Sequence, residues 1–288
     1  MSAASTLFRF TQVELPWRLG PPDGRYLLRA HGISDQAATH VIVFATLGAP
    51  ERRRLAARRR SQPAAASPEP MPVSTGRATV IDVGAPLDGP EAGRAWLEDA
   101  GEPDLQAGLG ILNQALHGFR VVTADPYLNP VGRHQALVAR LGYGDGDQVA
   151  DGLWTDAREI PAQERRQRRR RVLEPQSRLA AVLGARAPVL ACEELVLRAR
   201  LDLDHGRDRE AALQLLVALD AALAELPADP AASALAVRLS ELHAQRQPVT
   251  AAAQAALDGT LGPGEQQTVS LTVERLEAVL RARAALGN

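Results

Sequence analysis

The chain contains no lysine: all 33 of its basic residues are arginine. That absence excludes several reaction classes for the chain acting alone. A P-loop needs a Lys amine at the terminal phosphates, a pyridoxal enzyme needs one for its Schiff base, and a protein kinase needs its strand Lys. Cysteine is almost as scarce. Cys192 is the single thiol, so no internal disulfide and no cysteine-based zinc site can form. Its apolar neighbours mark it as a small core residue, in keeping with a reducing compartment. Aromatic residues make up only 3% of the chain, which leaves a core of small and aliphatic side chains and favours Ala- and Leu-rich helices. The net charge of −1 supplies no global field for nucleic acid or an acidic membrane. Long apolar runs are also missing. The longest, Val41 to Ala49, falls far short of the roughly 20 residues that span a bilayer. Met1 to Phe10 lacks the basic-then-apolar order of a signal peptide. The expectation is a soluble cytoplasmic protein with no membrane partner.

What is present is organised in two halves, and the 288 residues suggest about two domains. Leu7 to Leu15 alternates and reads as a half-buried strand. Pro21-Pro22-Asp23-Gly24 marks a turn, and Arg25 to Ala30 and His40 to Leu47 follow as strands of an antiparallel meander. Residues 50–76 carry six arginines between Arg52 and Arg60, then a Pro/Ala/Ser stretch; they read as a mobile insertion. A strand resumes at Arg77 to Val83, and Glu91 to Ala100 is a short helix. Asp104 opens a longer helix whose face holds Leu105, Leu109, Leu112, Leu116, Phe119 and Val122, ended by Pro126. Gln135 to Tyr143 reads as a strand, and Asp147 to Glu159 as a helix with Val149, Leu153, Ala157 and Ile160 on one side. Beyond an arginine-rich linker at 161–175 the periodicity is helical: 176–184, 188–205, 208–226, 231–246, 249–258 and 267–286, with Pro227, Pro230, Pro248 and Gly262-Pro263-Gly264 as turns. The predicted fold is α+β over 1–160, a small, mainly antiparallel sheet with helices, followed by an all-α helical-hairpin domain over 176–288.

No catalytic residue, cofactor site or metal site is assigned. Gly142-Tyr143-Gly144-Asp145-Gly146 lies where a phosphate-binding loop would lie, between a strand and a helix. Asp147 stands where a dinucleotide fingerprint needs glycine, and the two carboxylates would repel a pyrophosphate, so a turn capped by Asp145 and Asp147 is expected. As a calcium loop the segment fails at Val149 and Ala150. Asp202, Asp204, His205, Asp208 and Glu210 crowd one turn and read as the polar end of a hairpin. No His-Glu-x-x-His or Gly-x-Ser-x-Gly sequence occurs. An enzyme in the first half would gather polar groups near Asp82, Asp125 and residues 142–147.

The clearest signal is the hairpin itself. In its second helix Ala212, Leu215, Leu216, Leu219, Ala222, Leu223 and Leu226 share a face. Gly206, Arg207, Asp208, Arg209, Glu210 and Ala211, with Leu215, Ala218 and the small Ala199, resemble the turn and packing positions of a single tetratricopeptide repeat. The first-helix aromatics of that family are absent, Arg198 holds a usual leucine position and Pro227 lies about one turn late. The resemblance implies a helix-on-helix packing unit and a groove for a partner.

The leading expectation is therefore a non-enzymatic interaction or adaptor protein with a protein partner. The alternatives are an enzyme of unrecognised type in the first half, and a nucleic-acid binder. The latter would use Arg165, Arg166, Arg168, Arg169, Arg170 and Arg171, which could grip phosphates bidentately but have no interleaved aromatics for base stacking. The domain boundaries lead to a direct expectation. Limited trypsin digestion should cut first between Arg52 and Arg60 or between Arg165 and Arg171. First cleavage elsewhere, with both runs protected, would contradict those boundaries.

Overall fold

The computed structural model describes residues 6–29, 37–48, 74–161, 178–184 and 189–286. The chain divides into two compact units, residues 1–164 and 165–288. The first is an α+β unit built on one six-stranded antiparallel sheet. Its strands are β1 (Leu7–Leu15), β2 (Gly24–Leu28), β3 (His40–Leu47), β4 (Thr75–Leu87), β5 (Val138–Asp145) and β6 (Asp156–Glu159), in the order β2-β3-β4-β1-β5-β6. The helices α1 (Pro90–Asp99) and α2 (Glu102–Thr123) lie between β4 and β5 in sequence.

Period-two alternation decides what each face buries. Leu7, Val13 and Leu15 of β1 pack with Ile42, Phe44, Ala78, Val80, Leu141 and Tyr143 beneath Leu97 of α1 and Leu105, Leu109, Leu112 and Leu116 of α2. The opposite face carries a smaller cluster, Phe10, Val43, Ile81, Val149 and Ala150, with Trp154 packed against it. Val122 at the end of α2 is exposed rather than part of the buried face. A buried amide secures the chain after α2: Asn113 accepts from the Val131 N–H at 2.7 Å and donates to the Val131 carbonyl at 2.9 Å.

Three sequence expectations need correction here. Residues 147–159 do not form an α-helix. Residues 146–151 make a 3-10 turn, Gly152 (φ 91°) ends it, and Asp156–Glu159 pair with β5 as the edge strand β6. Leu153, expected on the helical face, is 63% exposed; burial of Val149 and of Trp154 against Phe10 (ring centroids 5.6 Å apart) outweighs the local helical spacing. Second, β4 starts at Thr75, so Thr75 and Gly76 belong to the sheet and not to the insertion expected over 50–76; residues 50–73 lie outside the described residues. Third, Pro248 does not separate two helices. A single helix runs from Ala232 to Asp258 with Pro248 inside it. Pro248 faces solvent, while Leu235, Leu239, Leu242, Val249, Ala252 and Ala256 continue one buried face across it. Burial along that face offsets the missing N–H and the ring clash, a penalty of about 3 kcal/mol.

The second unit is all helical: α3 (Ala191–Asp204), α4 (Asp208–Glu225), α5 (Ala232–Asp258) and α6 (Pro263–Leu286), with residues 178–183 also helical. Residues 162–177, which hold most of the expected arginine-rich linker, lie outside the described residues. Helix α4 packs against α3, α5 and α6. The span Asp208–Ala228 is long and apolar enough to cross a membrane by length and composition, yet Ala211, Ala212, Leu215, Ala218, Leu219 and Ala222 bury one face of it in the core of this unit. The hairpin turn at Gly206 (φ 67°) is fixed by the Arg207–Asp202 ion pair at 2.8 Å.

Carboxylates close the ends of this bundle. Glu225, at the end of α4, accepts from the Ala191 and Cys192 N–H groups at 3.1 Å each, capping the N-terminus of α3 across the hairpin. Burial raises the affinity of Glu225 for a proton, but hydrogen bonds from the Cys192 N–H, the Cys192 thiol and the Ala191 N–H outweigh it and hold the carboxyl below its ordinary range. Asp229 is held low by Arg283 of α6 and by the Ala231 N–H. Burial first, then Glu225, pushes the Cys192 thiol up to about 12. A lowered carboxyl contributes stability that is present above its unfolded value and lost as pH falls through its folded value. The melting temperature of the helical unit should therefore be flat from neutrality to about pH 5 and fall below that. The variant Glu225→Gln with Asp229→Asn should start lower at pH 7 and show a shallower acid decline. An equally steep decline in the variant, followed by helical circular dichroism, would overturn this assignment.

Candidate functional site

The helix-facing side of the sheet is apolar at one end and polar at the other. Strand pairing sets Arg9 of β1 opposite Asp82 of β4, and Asp82 opposite His40 of β3. On the far side of β1, Arg9 lies opposite Tyr143 of β5. Side-chain alternation puts these residues on the same face as Val13, Val80 and Ile42, under the two helices. The pairing of β1 with β4 is irregular at this point. Two steps along β1, from Leu7 to Arg9, correspond to five along β4, from Leu87 back to Asp82. The extra residues turn away, and the Val83 and Gly84 N–H groups both donate to the Thr39 carbonyl, at 3.0 and 2.9 Å. Bulges of this kind re-aim side chains at the margin of a sheet.

Helix α2 reaches β1 closely at one point. A Cβ on Gly108 would lie 2.2 Å from the Thr11 hydroxyl oxygen, so the bare backbone there sets the depth of the helix over the sheet. Above this contact a cavity of about 360 Å³ opens. Arg9, Thr11, His40, Val80 and Asp82 line it from the sheet, and Trp96, Asp104, Ala107, Gly108 and Ile111 line it from α1 and α2. The Arg9 guanidinium sits over the Trp96 indole, 5.6 Å from its centroid. Its Nε is buried without a hydrogen-bond partner, and among the described residues no ion pair engages Arg9. A guanidinium set over an aromatic ring keeps its N–H edge free to donate to a carboxylate or phosphate. The two acids are each half engaged: Asp82 Oδ1 accepts from the Ala85 N–H at 3.2 Å, and Asp104 Oδ2 from the Gly101 N–H at 2.9 Å. His40 Nδ1 lies 3.1 Å from the Thr39 hydroxyl. A few polar groups converging on a mainly apolar concavity is the usual make-up of a small-ligand site.

Of the residues singled out in the sequence, Asp82 lines this pocket, while Asp125 and residues 142–147 do not. Asp125 closes the turn after α2 by accepting from the Tyr127 N–H at 2.9 Å. Gly142 and Gly144 lie within β5, where a Cβ would strike Phe10 and the Asp156 carbonyl, or Val149, at 2.6–2.7 Å. Their space is filled by protein, and they cradle no phosphate. The expected capping by Asp145 is not made, and Asp147 pairs with Arg25. In the helical unit Asp202 is paired with Arg207, Asp208 accepts from Gln266 at 2.8 Å, and His205 contacts the Leu201 carbonyl at 2.8 Å. Among the described residues no group of three His, Cys, Asp or Glu side chains could hold a metal ion. Arg165, Arg166, Arg168, Arg169, Arg170 and Arg171 lie outside the described residues.

Sequence reasoning passed over Arg9, Thr11, His40, Trp96 and Asp104. The available signal was parity: Arg9 and Thr11 occupy inward positions of a strand whose other inward residues, Leu7, Val13 and Leu15, are buried. A charge in that register needs a purpose.

Two glycines of α2 give a test of the geometry. Gly108→Ala should destabilise the α+β unit by about 1–3 kcal/mol through overpacking on Thr11. Gly110→Ala, which would meet nothing within 4 Å, should stabilise it by up to about 1 kcal/mol through helix propensity. Equal effects in thermal melts would show that α2 does not approach β1 at Gly108.

No family model, no curated protein and no solved structure matches this chain, so the functional reading rests on the chemistry of its own pocket.

Proposed function

We propose that this protein is a non-enzymatic binding protein of the adaptor kind. Its α+β unit holds a small anionic ligand in the pocket at Arg9, and its helical unit engages a protein partner. The observation that carries the reading is Arg9 itself. Its buried Nε has no partner, its guanidinium is set on Trp96, and it opens onto a cavity of about 360 Å³. Among the described residues no carboxylate pairs with the Arg9 guanidinium, and an anion in the cavity supplies that partner. For the helical unit the support is the packed hairpin of α3 and α4. Leu197 and Leu201 add to it: one turn apart, they are exposed on the side of α3 opposite Cys192, Val196 and Ala199. The nucleic-acid alternative draws on arginine runs outside the described residues and gains no support from the described ones.

The test is anion binding by the full-length chain. Titration with 4-methylpentanoate and with inorganic phosphate, against chloride at equal ionic strength, should raise the melting temperature saturably for at least one of them. Arg9→Gln should weaken that binding at least tenfold, as expected for loss of a charge-assisted hydrogen bond worth about 1.5–3 kcal/mol. Binding that is unchanged in Arg9→Gln, or no binding by either anion, would overturn the reading.

A further inference from the structure

Resting on the anion-pocket reading, we infer that the ligand is a free α-amino acid with an apolar side chain. Its carboxylate lies on Arg9, its ammonium on Asp82 with Asp104 close by, and its side chain against Trp96, Val80, Ala107 and Ile111.

The first support is a pair of charges that do not meet. Arg9 and Asp82 are directly opposite on adjacent antiparallel strands, where Cβ atoms stand about 4.5–5.5 Å apart. Opposite charges so placed ordinarily form a cross-strand ion pair. Here the guanidinium turns to the Trp96 ring and the carboxylate to the Ala85 N–H, and both side chains line the same cavity. A ligand bearing both charges one carbon apart bridges two groups set at neighbouring strand positions. A longer ω-amino acid separates its charges too far for adjacent positions.

The second support is charge balance. One guanidinium and two carboxylates line the pocket, a net of −1 with His40 neutral. A phosphate or other dianion meets repulsion from both acids. A zwitterion meets none, because its ammonium takes the oxygens that Asp82 and Asp104 leave without a hydrogen bond among the described residues. Ammonium–carboxylate hydrogen bonds are of the strong, charge-assisted kind.

The third support is size and lining. A cavity of about 360 Å³ lies at the small end of the range of roughly 300–1,000 Å³ for ligand sites. It suits one amino acid rather than a peptide. The apolar wall formed by Trp96, Val80, Ala107 and Ile111 offers a branched or aromatic side chain a dry surface and offers a charged one no partner.

The experiment uses the full-length chain and four probes: L-leucine, L-glutamate, 4-methylpentanoate (leucine without its amine) and 3-methylbutylamine (leucine without its carboxylate). Calorimetric titration should find saturable binding of L-leucine, at least tenfold tighter than the other three. Asp82→Asn keeps an acceptor for the Ala85 N–H and removes the charge. It should abolish the preference for L-leucine over 4-methylpentanoate while leaving the weak binding of the latter in place, which also shows that the variant is folded. The inference is overturned if 4-methylpentanoate binds as tightly as L-leucine, if L-glutamate binds as tightly, or if Asp82→Asn leaves the preference intact. Arg9-dependent binding of phosphate or 4-methylpentanoate, without any advantage for leucine, overturns the amino-acid assignment alone and leaves the anion pocket standing. No binding by any probe or by phosphate overturns both.

Discussion

The α+β unit depends on where β1 is paired. It lies between β4 and β5, hydrogen-bonded on both sides, and a strand fixed on both edges cannot slip. A slip of one residue would turn Leu7, Val13 and Leu15 to the wrong face and bring Phe8 and Phe10 under the helices. The same register that buries those leucines and Val13 leaves Arg9 and Thr11 no choice but to face inward. The pocket is thus a by-product of core packing at one end of the sheet and a departure from it at the other, where β4 breaks step and α1 and α2 stop filling the space. Arg9, Thr11 and Asp82 stand on β1 and β4, each paired with a strand on both sides, which gives them the preorganisation a binding site needs.

The helical unit is organised by α4. That helix packs against α3, α5 and α6. Small residues make this possible. Ala199 of α3 and Ala211, Ala218 and Ala222 of α4 are fully buried, so the axes approach closely without large side chains between them. The ends are then closed by charge: Glu225 caps α3, and Arg283 of α6 reaches both Asp229 and Glu193. Buried Arg–carboxylate contacts fix geometry more than they add net stability. In a bundle of interchangeable alanines and leucines, such contacts distinguish one helix arrangement from its near equivalents.

The regular elements were legible because their signals are local. The alternation of β1 and the limits of β3 follow from spacing along a few residues, and the structure has them at the expected positions. Of the face expected on α4, Ala212, Leu215, Leu219, Ala222 and Leu226 are buried, but Leu216 and Leu223 are only half-buried and Ala211 and Ala218 take the buried positions beside them. Where the reading failed, a distant partner decided. Val149 to Ile160 has helical spacing, but β5 offered an open edge and Phe10 a surface for Trp154. Pro248 is a helix breaker by type, yet three buried residues before it and four after it hold the helix together. The pocket was the least legible feature. Its lining comes from β1, β3, β4, α1 and α2, and no two of its charged residues are close enough in sequence to form a motif. Of its lining, only Asp82 stands out in the sequence, and Arg9 shows there only as a charge in an inward register.

The lone thiol has a separate use. Cys192 is wholly enclosed in the core of the helical unit, its N–H and sulfur both held by Glu225. With its proton bound this tightly, the sulfur is almost inert as a nucleophile in the closed state. Any modification must pass through a state in which the first turn of α3 has come away from the end of α4. Cys192 is therefore a built-in clock for that opening. Because no other cysteine exists in the chain, the clock runs on the helical unit alone and stays silent about the sheet, so thiol chemistry times the opening of one half without interference from the other.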